Sequence, residues 1–282
     1  LRIPPWLRAP LPRDKAYAST GALLRDLDLN TVCQGARCPN KWECFSRSVA
    51  TFLILGRECT RNCAFCNINP GRQLPPDEDE PRRVAEGAVR LGLKHVVVTS
   101  VTRDDLPDGG AEHFAATIRA IRKRLPGCTV EVLIPDFQGD AEALDTVLAA
   151  RPDVLNHNVE TVPRLYASIR PQADYAQSVE LLRRVAEGCA SIPAKSGLMV
   201  GLGETDEELR GVIRDLRDAG CRMITVGQYM RPSLKHPAVA RYMPPEEFDA
   251  LAEYGRGLGV EKMFCAPLVR SSYHAAELVG RP

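Results

Sequence analysis

From residue 51 onward the chain alternates between two patterns of apolar positions. Short, almost continuously apolar runs predict strands buried on both faces: Thr51–Gly56, His95–Val101, Thr129–Ile134, Asp153–Val159, a run from Lys195 that includes Leu198–Val200, and Met223–Val226. Between them apolar residues recur at helical spacing. Val84, Ala88 and Leu91 form one helix face, Phe114, Ile118, Ile121 and Leu125 a second, and Leu144, Val147 and Leu148 a third. Residues 179–185 carry a fourth helix, and Leu209, Val212, Ile213 and Leu216 mark a fifth. Local signals agree. Asp79, Glu80 and Pro81 suit a helix start, Gly92, Gly127 and Gly220 suit ends, and Thr205-Asp-Glu-Glu208 reads as a capping box. Repeated strand–helix units with apolar strands imply an α/β fold on a parallel sheet. Six core strands from Thr51 to Val226, with a short one at Val260–Phe264, fit an incomplete barrel better than eight units do. Chemistry in such folds collects at the C-terminal strand ends. That selects the loop after Gly56, Thr99-Ser100, Asp136, Asn156-His-Asn158, Gly201-Leu-Gly203 and Gln228.

Charge and composition narrow the function classes. The 282 residues balance 37 Lys+Arg against 36 Asp+Glu, so no basic field is available to draw in nucleic acid. A hydrophobic content of 44% is that of a globular chain. No apolar run is long enough for a membrane span, and Leu1–Trp6 lacks the apolar stretch of a secretory signal. The missing Met suggests trimming, and a cytoplasmic location is expected.

The ten cysteines change the picture more. Cys128, Cys189, Cys221 and Cys265 lie apart, in or beside apolar stretches, and read as small hydrophobes of the core. The other six form two triplets, Cys33-x4-Cys38-x5-Cys44 and Cys59-x3-Cys63-x2-Cys66. Zinc sites usually draw four ligands from Cys-x2–4-Cys pairs, and neither triplet divides that way. Zinc with outside ligands and three disulfides stay open as alternatives. An iron–sulfur cluster suits three thiolates better, because four irons then keep one position for another ligand.

Cys59-x3-Cys63-x2-Cys66, with Phe65 before the last cysteine, resembles the cluster loop of the radical S-adenosylmethionine (SAM) enzymes. Together with the first triplet it resembles the lipoyl synthase family, and the likeness runs along the whole chain. It includes Trp6-Leu-Arg8, Thr99-Ser-Val-Thr-Arg-Asp-Asp105, Asn156-His-Asn-Val-Glu-Thr161, Arg170-Pro171, Lys195–Thr205, Gly227-Gln-Tyr229 and Arg270-Ser-Ser-Tyr273. One departure is Arg57, where an acidic residue is expected before the loop. The resemblance implies a partial (β/α)6-type radical SAM barrel with N-terminal and C-terminal extensions that carry an auxiliary cluster. Expected bounds are 1–50, 51–230 and 231–282.

It also implies two [4Fe-4S] clusters. One is held by Cys59, Cys63 and Cys66 with SAM on the open iron. The other is held by Cys33, Cys38, Cys44 and Ser271. The implied reaction is insertion of sulfur at C6 and C8 of an octanoyl chain on a lipoyl carrier domain or H-protein. A 5′-deoxyadenosyl radical derived from SAM abstracts hydrogen, and the auxiliary cluster gives up sulfide. No general acid or base is required. A low-potential electron donor and an iron–sulfur cluster carrier are the further partners expected. Thr99, Asn158, Glu160 and Lys195, at predicted strand ends, are the candidates to touch SAM. Glu204 resembles part of a loop near the SAM adenine, with the start of the next helix as the alternative. His236 and His274 read as surface groups or groups behind the ligands. Arg103, Asp104, Asp105 and Arg170 read as solvated loop charges, with holding the cofactor or docking the carrier domain as the alternative.

Overall fold

The computed structural model describes residues 2–8 and 15–278. They fall in two compact units, one comprising residues 15–61, 67–154 and 274–278, the other residues 2–8, 62–66 and 155–273.

In the first unit, β2 (Thr51–Ile54), β3 (His95–Ser100) and β4 (Thr129–Leu133) pair in parallel, Thr51 opposite Val97 and His95 opposite Thr129. A two-residue strand, β1 (Asn30–Thr31), runs antiparallel beside β2 and was not expected, since two residues carry no periodicity. All four residues of β2 are buried, which matches its unbroken apolar run. The crossover helices are Glu80–Arg90 and Ala111–Arg124. Glu80 is buried at the start of the first, where its carboxylate accepts from Leu55 N–H and pairs with His113 Nε2, each at 2.8 Å. A further helix, Ala141–Ala149, is capped by Asp140 on Glu142 N–H and Ala143 N–H. Helices Lys15–Asp26, Val32–Gly35 and Lys41–Ser46 precede β2. The last two, of four and six residues, are too short to show a helical period.

The second unit carries β5 (Val154–Asn156), β6 (Ala194–Val200), β7 (Met223–Gln228) and β8 (Lys262–Cys265), all parallel to their neighbours. Between them lie helices Tyr175–Gly188, Asp206–Asp218 and Pro245–Gly257. The capping box forms with both arms, Thr205 accepting from Glu208 N–H and the Glu208 carboxylate from Thr205 N–H. Arg164 adds a two-pronged ion pair to Glu208. β7 and the chain after β8 touch so closely that Gly227 has no room for a side chain. A Cβ there would lie 1.9 Å from the Val269 carbonyl oxygen.

Two predictions follow from this packing. Gly227→Ala should cost about 3 kcal/mol, the upper range for overpacking. Gly257→Ala, at a helix end with nothing within 4 Å of the added Cβ, should gain about 0.5 kcal/mol. Thermal unfolding midpoints check both signs. A third concerns pH. Hydrogen bonds from Arg164 and from Thr205 N–H hold the Glu208 carboxyl down at about 2, below its ordinary 4.5. Its contribution is complete above pH 4.5 and lost as pH falls through about 2. Between those limits Glu208→Gln should lose less stability on acidification than the parent chain, read as a flatter plot of midpoint against pH.

Candidate cluster-binding site

All ten cysteines are thiols and none is in a disulfide. The second triplet lies in the loop that follows β2, and the chain passes within that loop from one unit to the other. Cys59 belongs to the first unit, Cys63 and Cys66 to the second.

On the first side, Cys59 is fixed through its peptide and its sulfur. Its N–H donates to Asn69 O at 3.0 Å, and its carbonyl accepts from Gly71 N–H at 3.2 Å. Two peptide N–H groups, of Arg61 and Thr102, point at Cys59 Sγ from 3.4 and 3.3 Å. Outer donors of this kind orient a sulfur that holds a metal centre. Two residues on, Arg61 is buried, 6% exposed, and its guanidinium is gripped by two carboxylates. It donates to Asp104 at 2.7 and 2.9 Å and to Asp136 at 2.7 Å twice. Burial works against the charge, but the hydrogen bonds to Asp136 and Asp104 outweigh it and raise the guanidinium pKa further. Asp104 follows β3 and Asp136 follows β4, so Arg61 ties the cluster loop to two strand ends. Asp136 is aimed by an unusual turn in which Phe137, Gln138 and Gly139 all have positive φ, at 47°, 53° and 82°.

On the second side three anchors hold Asn62–Cys66. Asn62 N–H donates to Gln172 Oε1 at 2.8 Å, and Ala64 N–H to Ile169 O at 2.8 Å. The Cys66 carbonyl lies 3.1 Å from His236 Nε2. Cys66 N–H closes the turn on Cys63 O at 3.0 Å.

The first triplet is held within the first unit. Cys33 sits in helix Val32–Gly35, capped by Thr31, and Cys44 in helix Lys41–Ser46. Cys38, between them, is tied by its N–H to Cys33 O at 3.1 Å. Asn67, next in sequence after Cys66, donates to Gly35 O at 2.8 Å and braces the same stretch. Burial, and then the neighbouring cysteines, push the Cys33 thiol up to about 11 and Cys44 to about 12. The three sulfurs therefore sense one another, and as bare thiolates they would repel. A bound cationic cluster supplies the compensating charge, so the donor set fits one. Among the described residues no three His, Cys, Asp or Glu side chains are grouped for a single metal ion. His274, three residues after Ser271, lies 3.2 Å from Glu43 and 2.6 Å from Glu277, which fixes the start of the last helix, Ala275–Leu278, beside Cys44's helix.

The residues expected to meet SAM are placed differently from one another. Asn158 Nδ2 donates to Glu160 Oε1 at 3.0 Å and to Ser271 Oγ at 3.3 Å, so three expected site residues meet within the second unit. Burial raises the Glu160 carboxyl above the usual range, against the pull of Arg170 and the Asn158 hydrogen bond. Thr99 lies next to the last residue of β3 and its hydroxyl donates to Leu133 O at 2.9 Å. Lys195 is fully buried near the start of β6, not at its C-terminal end. Glu204 caps its own loop, accepting from Gly201 N–H and Leu202 N–H at 2.5 and 2.8 Å. Arg57 pairs with Asp28 at 2.8 Å on the surface, bracing the loop where an acidic residue was expected.

Sequence reasoning left out three anchors. Arg61 was passed over, and Asp104 and Arg170 were read as solvated charges. In the structure Arg170 donates to the carbonyls of Asn158 and Val159 and to the Tyr166 hydroxyl, at 3.0, 3.3 and 3.1 Å. No local pattern separates these three charges from solvated loop residues.

Comparison with known proteins agrees with this geometry. Residues 53–216 match the radical SAM superfamily, and residues 1–38 match the N-terminal domain of lipoyl synthase. The lipoyl synthase of Oleidesulfovibrio alaskensis is 68% identical over 99% of this chain and 95% of its own. That of Caldanaerobacter subterraneus is 58% identical over 98% and 96%. Among solved structures, HydG, a maturase of the [FeFe]-hydrogenase, aligns with a TM-score of 0.60 at 19% identity, over 75% of this chain and 50% of that one. Streptococcus suis SuiB gives 0.58 at 13% identity, over 88% and 59%. The α/β fold is thus that of the radical SAM proteins, and with this fold, these triplets and identities of 58–68% over nearly the whole length the chain belongs to the lipoyl synthase family.

Proposed function

We propose that this chain inserts two sulfur atoms, at C6 and C8, into an octanoyl chain carried on a lipoyl carrier domain or H-protein. The observation that carries the reading is the presence of two separately anchored cysteine triplets, since one triplet suffices for radical generation and the second requires another use. When bound, SAM and a cluster on Cys59, Cys63 and Cys66 supply the 5′-deoxyadenosyl radical, and a cluster on Cys33, Cys38, Cys44 and Ser271 supplies the sulfur.

The chain's own part is to hold and orient. Peptide donors on Cys59 Sγ support that cysteine as a ligand. The Asn158 amide and Glu160 carboxylate offer polar edges to SAM, with Thr99 and Lys195 as further candidates. Ser271, hydrogen-bonded to Asn158 here, would exchange that bond for iron. A hydroxyl oxygen is a hard partner in a thiolate-rich site, which suits an iron meant to be lost. Segments 1–50 and 231–282 would act as the extensions around the 51–230 core. A low-potential electron donor and a cluster carrier complete the partners. Ten thiols without a disulfide suit a reducing compartment such as the cytoplasm, and among the described residues no helix is long and apolar enough to cross a membrane.

A single turnover on an octanoylated carrier domain tests the reading. Acid-labile sulfide should fall in step with product. Replacing Cys33, Cys38 and Cys44 together by Ala should remove about half the iron, keep SAM cleavage and abolish product. An auxiliary cluster recovered intact after turnover would rule out sulfur donation. The Arg61 grip gives a separate outcome. Asp136→Ala leaves the buried guanidinium short of one carboxylate and should cost about 3 kcal/mol in unfolding of the reconstituted protein. Asp136→Asn, which keeps two polar atoms beside Arg61, should cost less.

A further inference from the structure

We propose that His236 is a positioning residue for the radical-generating cluster, fixing the Cys66 end of its loop through the Cys66 carbonyl. This inference rests on the assignment of Cys59, Cys63 and Cys66 as ligands. Nε2 of His236 is 3.1 Å from Cys66 O. A carbonyl can only accept, so Nε2 carries the proton and donates. Nδ1 is then the acceptor, and it faces the Ser233 hydroxyl at 2.9 Å. Ser233 Oγ accepts in turn from Lys235 N–H at 3.3 Å. The chain of donors runs one way and fixes the imidazole tautomer, as outer groups fix metal-bound histidines.

The segment that presents His236 is built to be stiff. Arg231 donates to the carbonyls of Leu234 and His236, at 2.7 and 2.8 Å, from inside the same turn. Tyr229 OH donates to Pro237 O at 3.0 Å. Gln228, fully buried at the end of β7, donates to Arg241 O and accepts from Met243 N–H, which pins the far end of the loop. A loop this heavily tied, ending in one imidazole on one carbonyl, has more order than a surface connection needs. The third anchor of Asn62–Cys66 is also the one that acts on a cysteine's own peptide group. The other two grip Asn62 and Ala64. Releasing it would free the Cys66 peptide plane to rotate and with it the direction of Cβ–Sγ.

The test uses the full chain with Cys33, Cys38 and Cys44 replaced by Ala, so that one cluster remains. His236→Ala should still bind that cluster. The electron paramagnetic resonance spectrum of its reduced form, recorded with SAM, should broaden, and SAM cleavage should fall about tenfold, as for lost outer-shell contacts. His236→Gln, whose amide N–H can reach the same carbonyl, should recover most of the spectrum and rate. Leu234→Ala, at an 87% exposed position of the same loop, should change neither. A parent-like spectrum and rate in His236→Ala would overturn the proposal, and so would a His236→Gln variant as impaired as His236→Ala. If the parent triple variant held no reducible cluster, the ligand assignment itself would fall, a result distinct from either.

Discussion

One buried charge sets the terms for the cluster loop. A guanidinium that is 6% exposed is tolerable only if its donors are met, and Arg61 has four of them on two carboxylates. The fork geometry matters as much as the charge, because two carboxylates on separate strand ends can both be satisfied only with the loop backbone in one place. Asp136, whose side chain is fully buried, could not stay so without the cation. The grip therefore works in both directions, holding the loop to β3 and β4 and holding the turns after those strands to the loop.

The sheet makes that arrangement possible. Parallel pairing of β2 with β3 and of β3 with β4 brings the C-terminal strand ends of the first unit level. The residues that follow, Cys59, Asp104 and Asp136, then emerge from neighbouring ends. In the second unit the same pairing aligns the segments after β5 and β6, where Glu160 bridges to Leu198 and Asn158 meets Ser271. The strained turn at Phe137 and Gln138 is the local cost of aiming Asp136, and it sits where a side chain must be held firmly.

Much of this was legible in the sequence, and the reason differs from part to part. Each predicted strand appears, because buried strands write their burial into unbroken apolar runs. The capping box at Thr205 was readable because both partners lie within four residues. The two triplets stood out because no other residue type clusters so tightly for so few reasons. What the sequence hid were partnerships across distance. Arg61 meets Asp136 from 75 positions away, and His236 meets Cys66 from 170. A charged residue in a loop is usually solvated, so no local pattern separates Arg61 from an ordinary surface arginine. Lys195 shows the opposite limit. Its strand was read correctly, but its side chain is fully buried near the start of β6, which apolar patterning does not foretell.

Most groups that hold the cysteines are peptide N–H and C=O groups: those of Asn69, Gly71, Arg61 and Thr102 around Cys59, and of Ile169 and Cys63 beyond it. Every residue except proline carries both. The identity of many neighbouring side chains can therefore drift over evolutionary time while the ligands stay in register, and the mutational burden concentrates on a handful of side chains. For protein engineering the same division marks which positions around the loop are open to redesign: those that contribute only their backbone.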